Sequence, residues 1–143
     1  MNILFLSVRN SSRSQIAEGL AKKTLGPDYN VLSCGLSPSK VNPFAVKVME
    51  EVGIDISHHY SKSISDLPDA FIGALDVAII FCGDEISRVL PLNAKKLRWH
   101  MPDPEIEGNL TDLLDPFRVA RTAISEKIII LAKTLAIIHT RKI

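Results

Sequence analysis

Net charge, cysteine and long apolar runs are all scarce in this chain, and each shortage removes a class of function. The 143 residues carry a formal net charge of +1. That supplies no field strong enough to hold nucleic acid or an anionic membrane, so a small local anion site is the expected kind of binding. The two cysteines, Cys34 and Cys82, are spaced neither as a metal site nor as a disulfide scaffold. The longest apolar stretch, Ile128 to Ile138, is broken by Lys133 and is too short to span a bilayer. The apolar run at the start ends at Leu6, where a polar loop cuts it off, so it is not read as a signal peptide. Repeats, low-complexity segments and linkers are absent too. The expectation is one cytoplasmic, reduced domain over residues 1–143, without metal or cofactor, and large enough for a sizeable core.

Strands and helices alternate in what is present. Strands are expected at Asn2 to Leu6, Asn30 to Ser33, Asp76 to Phe81 and Lys96 to His100. The first and third are continuous apolar runs, as for strands buried on both faces. Helices are expected at Ser14 to Leu25, at Pro43 to Val52 and from about Leu110 to His139. Gly26-Pro27 stops the first. Asn42 caps the second and Pro43 opens it. Pro116 should interrupt or restart the third, giving two pieces. The fold class is therefore α/β: a parallel four-stranded sheet with helices on both faces. Its ligand should lie at the carboxyl ends of the strands.

The loop after the first strand lies there. Residues 7–14 read Ser-Val-Arg-Asn-Ser-Ser-Arg-Ser, a polar turn that opens a helix. Loop amides and a helix N-terminus converging on one spot make an anion cradle. Val8, Arg9, Asn10, Ser11, Ser12, Arg13 and Ser14 are its expected lining. Arg13 offers a planar fork for two oxygens of a tetrahedral oxyanion. An arginine at a helix start opposes the dipole, and an anion gives it a reason to be there. Ser14 is a candidate helix cap, Asn10 suits a positive φ, and Arg9 reads as a solvent-facing rim charge.

The string from Ile3 to Glu18 resembles the low-molecular-weight protein tyrosine phosphatase superfamily, within it the thioredoxin-coupled arsenate reductase branch. Asn10, Ser11, Arg13, Ser14, Gln15, Ala17, Glu18 and Gly19 match the branch's loop. Asn42 to Met49 with Gly53 to Ser57, then Phe81-Cys82-Gly83-Asp84, then Asp103-Pro104, look like its later signatures. The resemblance covers almost the whole chain. It implies a cysteine nucleophile where this chain has Ser7, with Ser14 hydrogen-bonded to it. It also implies Asp103 as the general acid and Cys82 as the first resolving cysteine. The second resolving position is Val89, so the thiol relay is broken at two of three positions. Cys82 also reads as a small buried hydrophobe at a strand end. Cys34 receives no role.

Some members of the branch bind potassium through residues matching Asn10, Glu18, Ser33 and an aspartate. Lys62 stands at that last position, either as a built-in cation beside Glu18 or as a solvated lysine. The four histidines show no ligand spacing and receive no role.

A serine hydroxyl ionises roughly six units above neutral, which costs about 8 kcal/mol at about 1.36 kcal/mol per unit. The leading expectation is thus an arsenate reductase-like protein that binds arsenate or phosphate but is inactive in this Ser7 form. A thiol reductant such as thioredoxin is the implied partner. Two alternatives stand: a low-molecular-weight (tyrosine) phosphatase and a non-catalytic oxyanion-binding pseudoenzyme. Glu105-Ile106-Glu107-Gly108 after Asp103-Pro104 has no aromatic to grip a phenyl ring, which argues against an aryl phosphoester.

Overall fold

The computed structural model describes residues 1–81, 88, 90–105 and 112–141. Four strands, β1 (Asn2–Ser7), β2 (Asn30–Gly35), β3 (Leu75–Ile80) and β4 (Lys95–Arg98), form one parallel sheet in the order β2-β1-β3-β4. The helices are α1 (Arg13–Leu25), α2 (Pro43–Glu50), α3 (Asp69–Gly73) and α4 (Asp115–Arg141), with a 3-10 turn at Ile64–Asp66. The four expected strands are all present, shifted by one or two residues at their ends.

Alternation along β1 divides the core into two layers. Ile3 and Phe5 face a cluster containing Ile16 and Leu20 of α1, Met49 of α2, and Phe117, Ile124 and Ile128 of α4. Leu4 and Leu6 face the other side, with Leu67, Phe71, Ala78 and Ile80. All four β1 residues are fully buried, and each such side chain contributes about 1.5–3 kcal/mol of hydrophobic stabilisation.

One expectation is corrected. The stretch near Pro116 is not two helices: α4 is one helix of 27 residues, and Pro116 is its second residue. A proline there loses no intrahelical hydrogen bond, so it starts the helix instead of breaking it. The short α3 and the 3-10 turn were not expected. Neither has the length to show a period. They are held by tertiary contacts, such as Phe71 buried in the second layer, and by the Asp66 carboxylate accepting the Ser63 N–H at 2.9 Å.

Among the described residues no helix is long and apolar enough to cross a membrane. The strand order reverses direction at β1, so the loop that follows it opens into the crevice where α/β sheets bind ligands.

Candidate active site

The loop between β1 and α1 is pinned from outside by its own carbonyls. Val8, Arg9 and Ser11 accept hydrogen bonds from the backbone N–H groups of Ser37, Ser39 and Asn42 at 2.8, 3.2 and 2.9 Å. The Ser61 hydroxyl adds a second bond to the Arg9 carbonyl at 2.6 Å. In a trans peptide the next N–H points opposite the carbonyl. The N–H groups of Arg9, Asn10 and Ser12 are thereby turned away from these neighbours, toward the inside of the loop. The close approach of β2 depends on Gly35: a Cβ there would lie 2.7 Å from the Val8 carbonyl oxygen and 2.8 Å from the Asn10 nitrogen.

Asn10 organises the interior. It has φ 52°, a left-handed conformation that asparagine tolerates better than most residues. Its fully buried amide makes four side-chain bonds. Nδ2 donates to Ser14 Oγ and to Ser33 Oγ, both at 2.9 Å. Oδ1 accepts from Gln15 Nε2 at 2.8 Å and from the Lys62 N–H at 3.1 Å. Ser7 Oγ accepts the Asn10 N–H at 3.2 Å and lies 2.6 Å from Ser14 Oγ. With Ser14 as donor, position 7 receives two hydrogen bonds, an environment that favours negative charge on that atom.

Ser14 is not the helix cap. Helix α1 begins one residue earlier, with Ser12 in the cap position, and the Ser14 hydroxyl is committed to Ser7 and Asn10.

Arg13 Nη1 donates to the carbonyls of Phe81 and Met101 at 3.0 and 3.1 Å. These bonds orient the guanidinium, and its Nη2 lies 3.8 Å from Asp103 Oδ2. Ser7, Val8, Arg9, Ser11, Ser12, Arg13, Asp103 and Glu105 line one cavity of about 290 Å³. Asp103 Oδ1 accepts the Glu105 N–H at 3.0 Å, which fixes the carboxyl across the cavity from the loop. Arg9 is exposed at the rim. Cys82 and Val89 lie outside the described residues.

Behind the loop, Glu18 is buried among partners. Its Oε1 accepts from Ser33 Oγ at 2.7 Å and lies 3.5 Å from Lys62 Nζ. Its Oε2 lies 2.7 Å from Lys22 Nζ and 3.6 Å from His59 Nε2. Burial pushes the carboxyl pKa up, but Lys22, Lys62 and Ser33 together outweigh it and hold the value below the usual one. Burial also depresses the His59 imidazole, with Glu18 pulling the other way. His59 is therefore neutral near pH 7, and the balancing charges are the two lysines. Lys62 is buried, so it is not a solvated lysine. A chain of hydrogen bonds runs from Glu18 through Ser33 and Asn10 to Ser14 and Ser7, and such chains reinforce one another.

Lys62→Met should destabilise the protein by about 3 kcal/mol at pH 7, the low end for breaking a buried pair because Lys22 remains. Glu18 has a depressed folded pKa, so its stabilisation is present above its unfolded value and is lost as pH falls through the folded one. Removing Lys62 raises the folded pKa toward the unfolded one, so less stability is left to lose on acidification and the gap between parent and variant should narrow as pH falls. Urea melts of parent and variant from pH 7 to pH 3 measure both effects. Equal stability at pH 7 would show that Lys62 does not balance Glu18.

Sequence reasoning missed two residues. His59 has no ligand spacing, and its contact with Gln15 (Nδ1 to Oε1, 3.0 Å) spans 44 residues. Glu105 reads in sequence only as a non-aromatic residue after Asp103-Pro104, yet it sits in the cavity wall.

Residues 2–141 match the family model described as low molecular weight phosphotyrosine protein phosphatase. An arsenate reductase of Bacillus licheniformis is 42% identical over 135 residues, 92% of this chain and 95% of that protein. Among solved structures, an arsenate reductase in the phosphate binding state superposes with a TM-score of 0.77 at 35% identity. It covers 93% of this chain and 97% of that one. A thioredoxin-dependent arsenate reductase of Corynebacterium glutamicum gives a TM-score of 0.74 at 29% identity, over 95% of this chain and 62% of that one.

Proposed function

The chain belongs to the low molecular weight phosphotyrosine protein phosphatase family, and from that premise we propose that it binds arsenate or phosphate in the Ser7 to Arg13 loop and transforms it little or not at all. The observation that carries this reading is the pinning of the loop carbonyls by Ser37, Ser39 and Asn42. It turns the loop's N–H groups inward, beside Arg13 and the start of α1, so that donors and positive potential converge. Phosphate held in the matched arsenate reductase structure supports the same kind of ligand here.

In this reading Ser7 is the nucleophile position, Arg13 the fork on the oxyanion, and Asp103 the acid that would protonate a leaving oxygen. Asn10, Glu18, Ser33 and Lys62 support the loop. Lys62 serves as a tethered cation, so added potassium should give this protein no specific stabilisation. Cys82 is the thiol that would resolve an arsenylated cysteine in an active form, with thioredoxin or another thiol as reductant.

The test is turnover by the chain as it stands. Incubation with arsenate and dithiothreitol should release no arsenite above background, and an aryl phosphate should release no phosphate. Ready turnover of either would place the nucleophile elsewhere. Val89 favours one second reading, a phosphatase, because hydrolysis needs no thiol relay. The paired assays separate the two readings.

A further inference from the structure

Glu105 is the one cavity-lining residue without a part in the reading above. Its Oε1 accepts three hydrogen bonds, from Ser11 Oγ at 3.0 Å, Ser12 Oγ at 3.0 Å and Asn42 Nδ2 at 2.8 Å. The two serines are buried, so the carboxylate is seated and is not a loose rim charge. Its three donors are neutral, and among the described residues no lysine or arginine forms an ion pair with it. Two serine hydroxyls at the mouth of α1, which an incoming oxyanion could use, are committed to it instead.

The charge of the cavity changes accordingly. Arg9 and Arg13 line it, but so do Asp103 and Glu105, and the formal charges cancel. An oxyanion entering beside Arg13 gains hydrogen bonds from the loop whatever its charge. A second negative charge on it gains less, because it meets two carboxylates at close range in a partly enclosed site.

We propose that Glu105 sets the charge state of the ligand: it disfavours dianions and selects oxyanions carrying one net negative charge, such as a singly protonated phosphomonoester or dihydrogen arsenate. This rests on the reading of the loop as an oxyanion cradle.

Two probes with fixed charge near neutral pH test it: sulfate, a dianion, and methyl sulfate, a monoanion that keeps three terminal oxygens. Calorimetric titrations at pH 7.5 and constant ionic strength compare parent, Glu105→Gln and Arg13→Ala, with phosphate as a third probe. Glutamine keeps an acceptor oxygen for the serines and removes the charge. It should tighten sulfate about tenfold and methyl sulfate threefold or less, relieving repulsion that acts mainly on the second charge. Glu105→Ala should move the sulfate to methyl sulfate ratio in the same direction, which guards against a poorly folded glutamine variant. The ratio is taken within each protein, so a change in folded fraction cancels.

An unchanged ratio, or weaker sulfate binding in both variants, would overturn the proposal and leave Glu105 as a brace for the loop. If phosphate still binds the parent and not Arg13→Ala, the cradle survives that result. If no protein binds any of the three anions, the cradle reading fails and takes this inference with it.

Discussion

Ser7→Cys is expected to release arsenite from arsenate, or phosphate from an aryl phosphate, about a thousandfold faster than the parent chain. An unperturbed thiol near pKa 8.5 needs only about 2 kcal/mol to ionise at neutral pH, against about 8 kcal/mol for the serine hydroxyl. The difference of about 6 kcal/mol corresponds to roughly 10⁴-fold, and base assistance to the serine would recover part of it. The surroundings act further in favour of the thiolate. Position 7 receives the Asn10 N–H and faces the Ser14 hydroxyl, and helix N-termini and arginines lower thiol pKa values. For arsenate the argument is one of electrons as well. Reduction to arsenite takes two electrons, which thiols supply by becoming a disulfide and a serine oxygen cannot. Peptide mapping after one turnover should find the introduced cysteine bridged to Cys82. Thioredoxin should recycle that bridge poorly, since Val89 carries no thiol to relay it. No gain on either substrate would mean that the site lacks more than its nucleophile.

Arg13→Ala should weaken phosphate binding about a hundredfold, equivalent to about 2.7 kcal/mol. Charge-assisted bonds to an oxyanion contribute about 1.5–3 kcal/mol, and the guanidinium is already oriented before a ligand arrives. Two carbonyls hold its Nη1, so little rotamer entropy is lost on binding. The substitution also frees Asp103 from the neighbouring cation, which leaves a carboxylate facing the ligand without its partner. Arg13→Lys should recover only a small part of the affinity, because an ammonium cannot present two parallel donors. Titration of the three proteins with phosphate measures this. Equal affinity in the alanine variant would remove Arg13 from the site.

Legibility in the sequence followed physical range. The apolar runs at Ile3 to Leu6 and Val77 to Ile80, and the stops at Gly26-Pro27 and Gly53, are local signals, and they place β1, β3, α1 and α2 closely. The strand, the loop and Arg13 were legible together for the same reason: they are contiguous. What was hidden depends on contacts between distant segments. Pro116 starts α4 because the residues before it do not continue the helix. Ser14 could not be told from a cap until Ser12 was seen to hold that place. His59 reaches Gln15 and Glu18 across more than forty positions. Glu105 reaches Ser11 and Ser12 across more than ninety, and only folding brings its carboxylate to the cavity.

We propose that the Ser7 to Arg13 loop is an oxyanion cradle that holds its ligand without transforming it. Titration of the ¹⁵N-labelled parent protein with phosphate, followed by amide shifts, tests it most directly. Saturable one-to-one binding is expected, with the largest shifts at the N–H groups of Val8 to Ser14 and phosphate recovered unchanged. Shifts centred elsewhere, or none that saturate, would contradict it.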